Sequence, residues 1–190
     1  MQKSELRTFY KEKRTLLSKE EITFFSEKIF ERFLERFPVS EGDKIHIFLG
    51  ISALQEVETD AFIQFLFSRK CRVFVPKMHK NQLKSIELFP DSVLEVNSWG
   101  IREPESNTDS GEKVYTYIVT PLLYCDANGN RVGYGKGFYD GLFADLHPSV
   151  PKIGLNFFGP SETIEDIEQH DIPLDYLVIP EAVLSFRGLP

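Results

Sequence analysis

Cysteine, methionine and tryptophan are scarce in this 190-residue chain, which contains two, two and one of them, respectively. Cys71 and Cys125 share no metal-ligand spacing, so we expect two reduced thiols. Neither has a histidine close to it in sequence, which argues against a catalytic thiol. Long apolar runs are also absent, and residues 1–7 lack the apolar core of a signal sequence. These absences predict a cytoplasmic protein with no membrane association.

An excess of positive charge is missing as well, since the formal net charge is −7. This balance gives no support for nucleic-acid binding, although it leaves room for a local basic pocket. The 42% hydrophobic and 27% charged residues are ordinary for a globular protein, and seventeen phenylalanines predict a largely aromatic core. No internal repeat occurs, and the polar stretch 105–113 is typical of an exposed mobile loop rather than a linker. We therefore predict one domain over residues 1–190.

Apolar spacing predicts two helices at the start of the chain, followed by short strands and further helices. Residues 2–37 contain both helices, and the second begins at the capping-box pattern Ser18–Glu21. A further helix is predicted at 60–69, with Thr59 as its N-cap. Buried-strand patterns occur at 44–49, 72–75, 84–89, 114–119, 152–155 and 176–179. Pro76 is expected to close the second of these strands.

The segment 126–140 concentrates glycine, with four glycines in nine residues and two cations, Arg131 and Lys136, between them. Glycine permits positive φ and leaves no Cβ in the way of a ligand, so successive N–H groups can converge on an anion. Apolar residues with helical spacing follow, which places the loop before a helix N-terminus, where anions are favoured. The pattern predicts a phosphate cradle. Its glycines are Gly129, Gly133, Gly135 and Gly137.

Two common phosphate motifs do not match this segment. No Gly-x-x-x-x-Gly-Lys-Ser/Thr run can be placed on it, and the spacing Gly-x-Gly-x-Gly differs from the dinucleotide fingerprint. Asp126–Gly129 has good turn chemistry by itself, so an ordinary surface turn is an alternative to the cradle.

Other candidates also have structural alternatives. Lys3 and Arg7 are four residues apart and share one helix face, which suits either an anion or simple solvation. His46 lies within a buried-strand pattern and is expected to be a satisfied core or sheet-edge histidine rather than a catalyst. Trp99 could stack on a flat heterocycle, although a lone tryptophan is more often a packing residue.

The run Arg131–Asp140, preceded by Pro121–Gly129, resembles the signature of the 5-formyltetrahydrofolate cyclo-ligase family, also called methenyltetrahydrofolate synthetases. The resemblance extends over most of the chain, and the matching segments follow one another in the same order as in the family. It has one departure, since Gly141 stands where many bacterial relatives have arginine, which removes one possible phosphate cation. Three further segments are similar to elements of the family: Lys3–Arg7, Glu56–Thr59 and Ser98–Pro104.

The resemblance implies an α/β fold with a mostly parallel sheet flanked by helices, in a Rossmann-like three-layer arrangement with an N-terminal helical segment. It implies cyclisation of 5-formyltetrahydrofolate to 5,10-methenyltetrahydrofolate, which depends on ATP and Mg²⁺ and releases ADP and phosphate. These small molecules are the expected partners, and the protein is expected to be a monomer.

The resemblance also assigns residues to roles, with Arg131 and Lys136 as the implied catalytic cations. The ATP-binding residues it implies are Lys3, Ser4, Glu5, Leu6, Arg7, Arg131, Val132, Gly133, Tyr134, Gly135, Lys136, Gly137, Phe138 and Tyr139. The substrate-binding residues it implies are Leu49, Glu56, Trp99, Tyr134, Gly135, Lys136, Gly137 and Phe138. The implied magnesium ligands are Asp140 and Asp171, whose hard oxygens suit that ion.

In the family, the first glutamate of the element at Glu56–Thr59 contacts the pterin of the folate. A carboxylate can accept two hydrogen bonds from an amino-pyrimidine edge, which fits this role. The structural alternative is that Glu56 and Glu58 simply favour a helix N-terminus.

Two other functions remain open. A different phosphate-handling α/β enzyme, such as a sugar-phosphate or acyl-transfer enzyme, would not need Lys3, Arg7 or Glu56. A folate- or nucleotide-binding regulator would bind 5-formyltetrahydrofolate without consuming ATP.

Overall fold

The computed structural model describes residues 1–80, 82–97 and 100–188. Two helices open the chain as predicted, α1 (Lys3–Thr15) and α2 (Lys19–Arg36). Ser18 is the N-cap of α2, because its hydroxyl accepts a hydrogen bond from the Glu21 N–H at 3.2 Å and the Glu21 carboxylate accepts one from the Ser18 N–H at 2.8 Å. This capping box pairs two backbone N–H groups at the helix start and fixes where α2 begins.

Short strands, two further helices and a 3₁₀ turn at Ser52–Leu54 follow α2 in the described part of the chain. The helices are α3 (Asp60–Ser68) and α4 (Phe138–Ala144). The strands, in chain order, are β1 (Lys44–Ile47), β2 (Arg72–His79), β3 (Gln82–Leu88), β4 (Leu94–Val96), β5 (Arg102–Pro104), β6 (Tyr117–Pro121), β7 (Tyr124–Cys125), β8 (Arg131–Val132), β9 (Lys152–Leu155), β10 (Tyr176–Val178) and β11 (Val183–Ser185).

Seven strands form one sheet in the order β11-β10-β9-β6-β1-β2-β3. The central strands β10, β9, β6, β1 and β2 pair in parallel, whereas β11 and β3 add antiparallel edges. At the centre, Ile45 of β1 lies beside Val73 on one side and Tyr117 on the other. Strands buried on both faces carry the continuous apolar runs that the sequence shows. The predicted α/β fold with a mostly parallel sheet flanked by helices is confirmed.

Apolar side chains cover both faces of the sheet and also hold α1 in place. Phe33 of α2 packs against Phe62 of α3, with ring centroids 4.8 Å apart, in the cluster on one face. Phe143 of α4 belongs to the cluster on the other face. A third cluster joins α1 to the β7–β8 hairpin, and there the Tyr10 ring stacks on Tyr124 at 4.4 Å. This last cluster positions α1 beside the glycine segment that follows β8.

The prediction that Pro76 closes its strand is wrong. Strand β2 continues through Pro76 to His79 and pairs with β3 along its length. Strand β1 pairs with β2 only as far as Phe74, so Pro76 lies where β2 has a neighbour on one side only. A residue without an N–H group is tolerated at such a position.

Thr59 is the N-cap of α3 by position, but its side chain does not cap the helix. Its hydroxyl donates to the Phe48 carbonyl at 2.7 Å and accepts from the Gly50 N–H at 3.1 Å. The threonine therefore ties the end of β1 to the loop that follows it. Because this side chain bonds across the loop at residues 50–58 rather than into α3, the capping prediction is corrected.

Several short strands were not predicted, and one was displaced. Strand β6 begins at Tyr117 rather than at residue 114. Strands β4, β5, β7, β8 and β11 have two or three residues each, which is too short for a repeating pattern to stand out in sequence.

Three titratable side chains lie inside the fold without a catalytic environment. Cys71 and Cys125 are free and buried, and burial raises the pKa of each thiol. His46 is fully buried in β1, and burial lowers its pKa to about 3. Its ring nitrogens have no hydrogen-bond partner among the described residues, so the histidine is in the core but is not satisfied as predicted. None of the helices in the described ranges has the length and apolarity that a bilayer crossing requires.

Candidate active site

A cleft of about 570 Å³ opens at the carboxyl ends of two central parallel strands. Phe48 and Leu49 directly follow β1, Pro121 ends β6, and all three line the cleft. Open α/β sheets bind ligands at this edge, because the loops that leave adjacent strands diverge there. Helix α1, the glycine segment and the loop after β1 supply the other walls.

The glycine segment forms one wall as a loop between β8 and α4. We call residues 133–137 the glycine loop. Gly135 and Gly137 have φ of 88° and 65°, a region that other residues rarely adopt. A Cβ on Gly135 would lie 3.3 Å from the guanidinium carbon of Arg7. The glycine at this position therefore allows both the bend of the loop and the close approach of α1.

Helix α1 directs its two predicted cations at this wall. The Nε of Arg7 donates to the Gly133 carbonyl at 3.0 Å, so its guanidinium lies against the glycine loop. Lys3 forms an ion pair with Asp171, both residues line the cleft, and both side chains are largely shielded from solvent. The Lys3 N–H also donates to Asp166 at 2.7 Å. The structure thus brings residues more than 120 positions apart in sequence into one cleft, as the cradle hypothesis requires.

Arg131 and Lys136 have different surroundings, although both line the cleft. The Arg131 guanidinium pairs with Asp140 at 2.8 Å, donates to the Ile172 carbonyl and lies over the Phe143 ring at 4.6 Å. Its side chain is only 7% exposed. Lys136 is exposed and has no ion pair or hydrogen bond among the described residues. Lys136 is therefore the cation of the loop that is free to meet an anion, whereas Arg131 is occupied in holding Asp140.

Glu56 lines the cleft next to the glycine loop and is only 3% exposed. One carboxylate oxygen accepts from the Tyr134 hydroxyl at 2.6 Å and the other from the Ile51 N–H at 3.0 Å. Burial raises the pKa of this carboxyl, against the opposing effects of both hydrogen bonds and of the Arg14 charge. Each oxygen retains lone pairs for further donors. Glu56 is therefore a buried, oriented acceptor and not a helix-capping side chain.

Much of the cleft lining is apolar. Such a surface accommodates a flat heterocycle, while the few polar groups fix its orientation. The apolar side chains that line it are Phe48, Leu49, Ile51, Leu54, Pro76, Met78, Leu83, Ile101 and Phe138.

Asp140 and Asp171 share one side of the cleft. The Ile172 N–H, next in sequence to Asp171, donates to Asp140 at 3.1 Å. Burial alone would raise the pKa of Asp171, but a hydrogen bond from the Glu168 N–H and the Lys3 charge bring it below its usual value. Each aspartate has a second carboxylate oxygen with no hydrogen-bond donor among the described residues.

These two aspartates do not form a closed metal cage. Within the described ranges, no group of three or more histidine, cysteine, aspartate or glutamate side chains is close enough to hold a metal ion. Magnesium usually takes one or two carboxylates and completes its shell with waters and substrate phosphates. Two carboxylates beside a loop that the sequence predicts to bind phosphate fit that pattern.

Not every residue assigned from the sequence lines the cleft. Ser4 and Glu5 face solvent on α1, and Glu5 accepts a hydrogen bond from the Gln2 N–H. Leu6 and Val132 are buried in the cluster that joins α1 to the β7–β8 hairpin. Trp99 lies outside the described residues. Gly129, the first glycine of the predicted cradle, is not part of the lining either, and its carbonyl accepts from the Leu174 N–H at 2.9 Å. The remaining predicted site residues are all part of the cleft lining.

Two arginines near the site were missed by the sequence interpretation. Arg14 is buried behind the cleft, and its signal was its position on α1, four residues after Tyr10 and eight after Leu6, on the apolar face. Arg102 lines the cleft and binds both carboxylate oxygens of Asp60 at 2.7 and 2.9 Å. Nothing in the local sequence around Arg102 marks that pairing.

Comparison with known proteins adds three findings. The family model described as the 5-formyltetrahydrofolate cyclo-ligase family matches residues 1–180. A Caenorhabditis elegans protein described as a probable 5-formyltetrahydrofolate cyclo-ligase is 30% identical over 97% of this chain and 95% of its own length. The solved structure of Aquifex aeolicus 5,10-methenyltetrahydrofolate synthetase is similar at a TM-score of 0.83, with 28% identity over 100% of this chain and 95% of that one.

Proposed function

This chain belongs to the 5-formyltetrahydrofolate cyclo-ligase family, and we propose that its cleft binds ATP and 5-formyltetrahydrofolate together and converts them to 5,10-methenyltetrahydrofolate, ADP and phosphate. The triphosphate lies between α1 and the glycine loop. The pterin lies against the apolar wall, with its amino-pyrimidine edge on Glu56. The protein acts as a single domain and as a cytoplasmic monomer.

The observation that carries this proposal is that a cationic loop and a carboxylate acceptor meet at Tyr134 in one cleft. Arg7, Lys136 and the loop glycines form a cationic, backbone-lined surface that suits phosphate. Glu56 is an acceptor in a largely apolar lining, which suits a flat ring with N–H donors. A nucleotide tail and a pterin bound to these two features would meet between Tyr134 and Phe138.

The chemistry requires positioning and charge stabilisation more than proton transfer. The formyl oxygen attacks the γ-phosphorus of ATP and the bond to the β-phosphate oxygen breaks, which releases ADP. The resulting iminium phosphate is attacked at carbon by N10 of the folate. Loss of the N10 proton and expulsion of phosphate then leave the methenyl ring. Lys136 and Arg7 stabilise the negative charge that shifts among the phosphoryl oxygens.

Asp140 and Asp171 are the proposed holders of Mg²⁺. The ion would neutralise charge on the β- and γ-phosphates when it is bound. Arg131 fixes the Asp140 carboxylate through the 2.8 Å ion pair, and the free second oxygen of each aspartate is the one available to the ion or its waters.

One assay tests the function. Purified protein is mixed with Mg-ATP and 5-formyltetrahydrofolate, and the methenyl product is followed by its near-ultraviolet absorbance while ADP is quantified. We expect both to form in equal amounts. Folded protein that binds the folate without ADP release would support the regulator instead. Turnover that is insensitive to loss of Lys3, Arg7 and Glu56 would support a different phosphate-handling enzyme.

A further inference from the structure

Arg14 is one of the largest fully buried side chains of the described structure, with an exposure of 2%. Its guanidinium donates to the Tyr134 hydroxyl at 3.2 Å, to the amide oxygen of Asn156 at 3.2 Å and to the Leu122 carbonyl. None of these acceptors is a carboxylate. Burying a guanidinium without a direct counterion costs free energy. This cost suggests that the charge of Arg14 has a role in the protein.

The closest anionic group along this network is Glu56, reached through a single side chain. The Tyr134 hydroxyl accepts from Arg14 and donates to Glu56 at 2.6 Å. Arginine has only donors and an ionised carboxylate has only acceptors, so the direction of both hydrogen bonds is fixed. The hydroxyl hydrogen is therefore forced to point at Glu56.

We propose that Arg14 is a positioning residue, which holds the Tyr134 hydroxyl as a donor to Glu56 and so keeps that carboxylate ionised and aimed into the cleft. The link from Glu56 to folate binding rests on the proposed function. The network itself is a property of the free protein, independent of any ligand.

The surroundings of Glu56 support this role. Tyr134 comes from the glycine loop, Ile51 from the loop after β1 and Arg14 from α1. The pKa of the neighbouring Tyr139 is raised chiefly by burial and further by the charge of Glu56. Burial raises the pKa of Glu56, and the groups that oppose this effect are Tyr134, Ile51 and Arg14. Without Arg14, burial would be less opposed, and the carboxylate would be lost at a higher pH.

Arg14 is held rigidly enough to orient the tyrosine. Asn156 is fully buried, and its amide group donates to the Leu123 carbonyl at 3.3 Å while its oxygen also accepts from the Phe157 N–H at 3.0 Å. The amide orientation is therefore fixed by backbone groups of Leu123 and Phe157. The guanidinium therefore has two fixed acceptors, the Leu122 carbonyl and the Asn156 amide oxygen, and the Tyr134 hydroxyl is its third acceptor.

The test measures the titration of Glu56 directly, in the free protein. Glutamate labelled with ¹³C at Cδ reports the pKa by NMR, and Glu56→Gln assigns the signal. Relative to wild type, we expect Arg14→Met and Tyr134→Phe each to raise the pKa of Glu56 by about one unit or more, and Arg14→Lys to raise it less. Tyr117→Phe is the control, since it removes a hydroxyl that binds the remote Pro38 carbonyl at 3.0 Å.

Tyr134→Phe keeps the ring and removes only the hydroxyl, so it tests the link through which Arg14 is proposed to act even if the Arg14 variants do not fold. In the assay of methenyl and ADP formation, the same variant is expected to raise KM for 5-formyltetrahydrofolate about tenfold and to move the acid limb of kcat/KM to higher pH. Its KM for ATP should stay within about twofold of the wild-type value. A folded Tyr134→Phe protein whose Glu56 titrates as in wild type overturns the proposal. Wild-type protein without turnover would refute the proposed function, while the NMR result would still decide the role of Arg14.

Discussion

Individual cations near the cleft have different roles, although their sequence patterns are alike. Lys3 and Arg131 are paired with aspartates, and Arg7 docks on the glycine loop through one of its nitrogens. Lys136 alone among these four has no partner in the described part of the chain. A charge that is already neutralised has less to offer a developing anion. The structure therefore separates the cations that build the site from the one most available for catalysis.

Replacing Lys136 by alanine removes that available cation. We expect kcat to fall by about 10²- to 10³-fold, because a charge aimed at the phosphoryl oxygens in the transition state is lost. Steady-state kinetics of methenyl formation measure the effect. Lys19→Ala is the matched control, since Lys19 is an exposed lysine at the start of α2, and it should keep wild-type rates. Wild-type values of kcat and KM in Lys136→Ala would contradict the proposed role of Lys136 in stabilising the phosphoryl oxygens.

Replacing Glu56 by glutamine keeps the shape of the side chain and removes its charge. We expect KM for 5-formyltetrahydrofolate to rise about 10- to 100-fold, because hydrogen bonds to a charged acceptor are worth about 1.5–3 kcal/mol, while KM for ATP stays close to wild type. Glu58→Gln is the control, because Glu58 is exposed and its carboxylate accepts, among the described residues, only from the Thr23 hydroxyl at 3.0 Å. Equal rises for both substrates would show that Glu56 supports the whole cleft and not folate binding in particular.

The sequence reveals residues whose chemistry is local and misses those that act through distant partners. Glu56 and Lys136 belong to short patterns that can be read without coordinates. The role of Arg14 depends on a tyrosine 120 positions away, which no local pattern contains. Arg131 resembled a phosphate cation in sequence, and only its pairing with Asp140 shows how much of its charge is already used.

Helix α1 and the glycine loop act together, since each fixes the conformation of the other. Arg7 needs the Gly133 carbonyl, and the loop can approach Arg7 only because Gly135 has no side chain. This interdependence explains why a cation pair at the start of the chain and a glycine pattern 126 residues later form one wall.

Replacing Gly135 by alanine tests that fit. The residue has φ of 88°, and its new Cβ would lie 3.3 Å from the Arg7 guanidinium. We expect a loss of about 1–2 kcal/mol in unfolding free energy from the backbone conformation, together with a rise of about tenfold in KM for ATP as Arg7 is displaced. Thermal or urea unfolding and ATP-dependent kinetics measure the two effects.

Gly141→Ala is the matched control for this substitution. Gly141 lies in α4, and a Cβ there would meet no atom within 4 Å. Alanine favours helix over glycine by about 1 kcal/mol, so we expect unchanged kinetics and equal or greater stability. If Gly135→Ala has the same stability and KM for ATP as Gly141→Ala, the close approach of α1 to the loop is not needed for function.

Elements with a local apolar pattern were predictable, and those without one were not. Helix α2 has an apolar face and a capping box, and β9 has a compact apolar run, so each could be predicted from local sequence alone. The β7–β8 hairpin has two residues per strand and is held by contacts with α1 that only the fold creates. Pro76 was misjudged because the sequence cannot tell which side of a strand lacks a neighbour.

The whole fold contains a buried histidine that makes its stability depend on pH. His46 has a folded-state pKa of about 3, below its ordinary 6.5, so the unfolded chain binds a proton that the native protein does not. Stability should therefore fall as pH decreases from about 6.5 towards 3, by at most about 1.4 kcal/mol per pH unit from this residue.

His46→Leu should make that dependence shallower. Urea unfolding of the variant at several pH values between 4 and 7 measures the slope, which should decrease relative to wild type. His79→Gln serves as the comparison, because His79 is exposed at the end of β2 and should leave the slope unchanged. Identical slopes for wild type and His46→Leu would show that the buried ring is not kept neutral by the fold.

The molecule as a whole brings the glycine loop, proposed to bind phosphate, and Glu56, proposed to bind the pterin, to one edge of the sheet. Strand order brings the loop after β1 beside the segment that follows β6, and the third apolar cluster holds α1 over both. The formyl group of the folate and the γ-phosphate of ATP would then meet without a dedicated acid or base.

The fate of the formyl oxygen tests this arrangement most directly. The protein is given Mg-ATP and 5-formyltetrahydrofolate labelled with ¹⁸O in the formyl group, and the released phosphate is examined by ³¹P NMR. Direct attack of the formyl oxygen on the γ-phosphate predicts that the label appears in inorganic phosphate, one atom for each methenyl group formed. Unlabelled phosphate, with the ¹⁸O recovered in water, would contradict it.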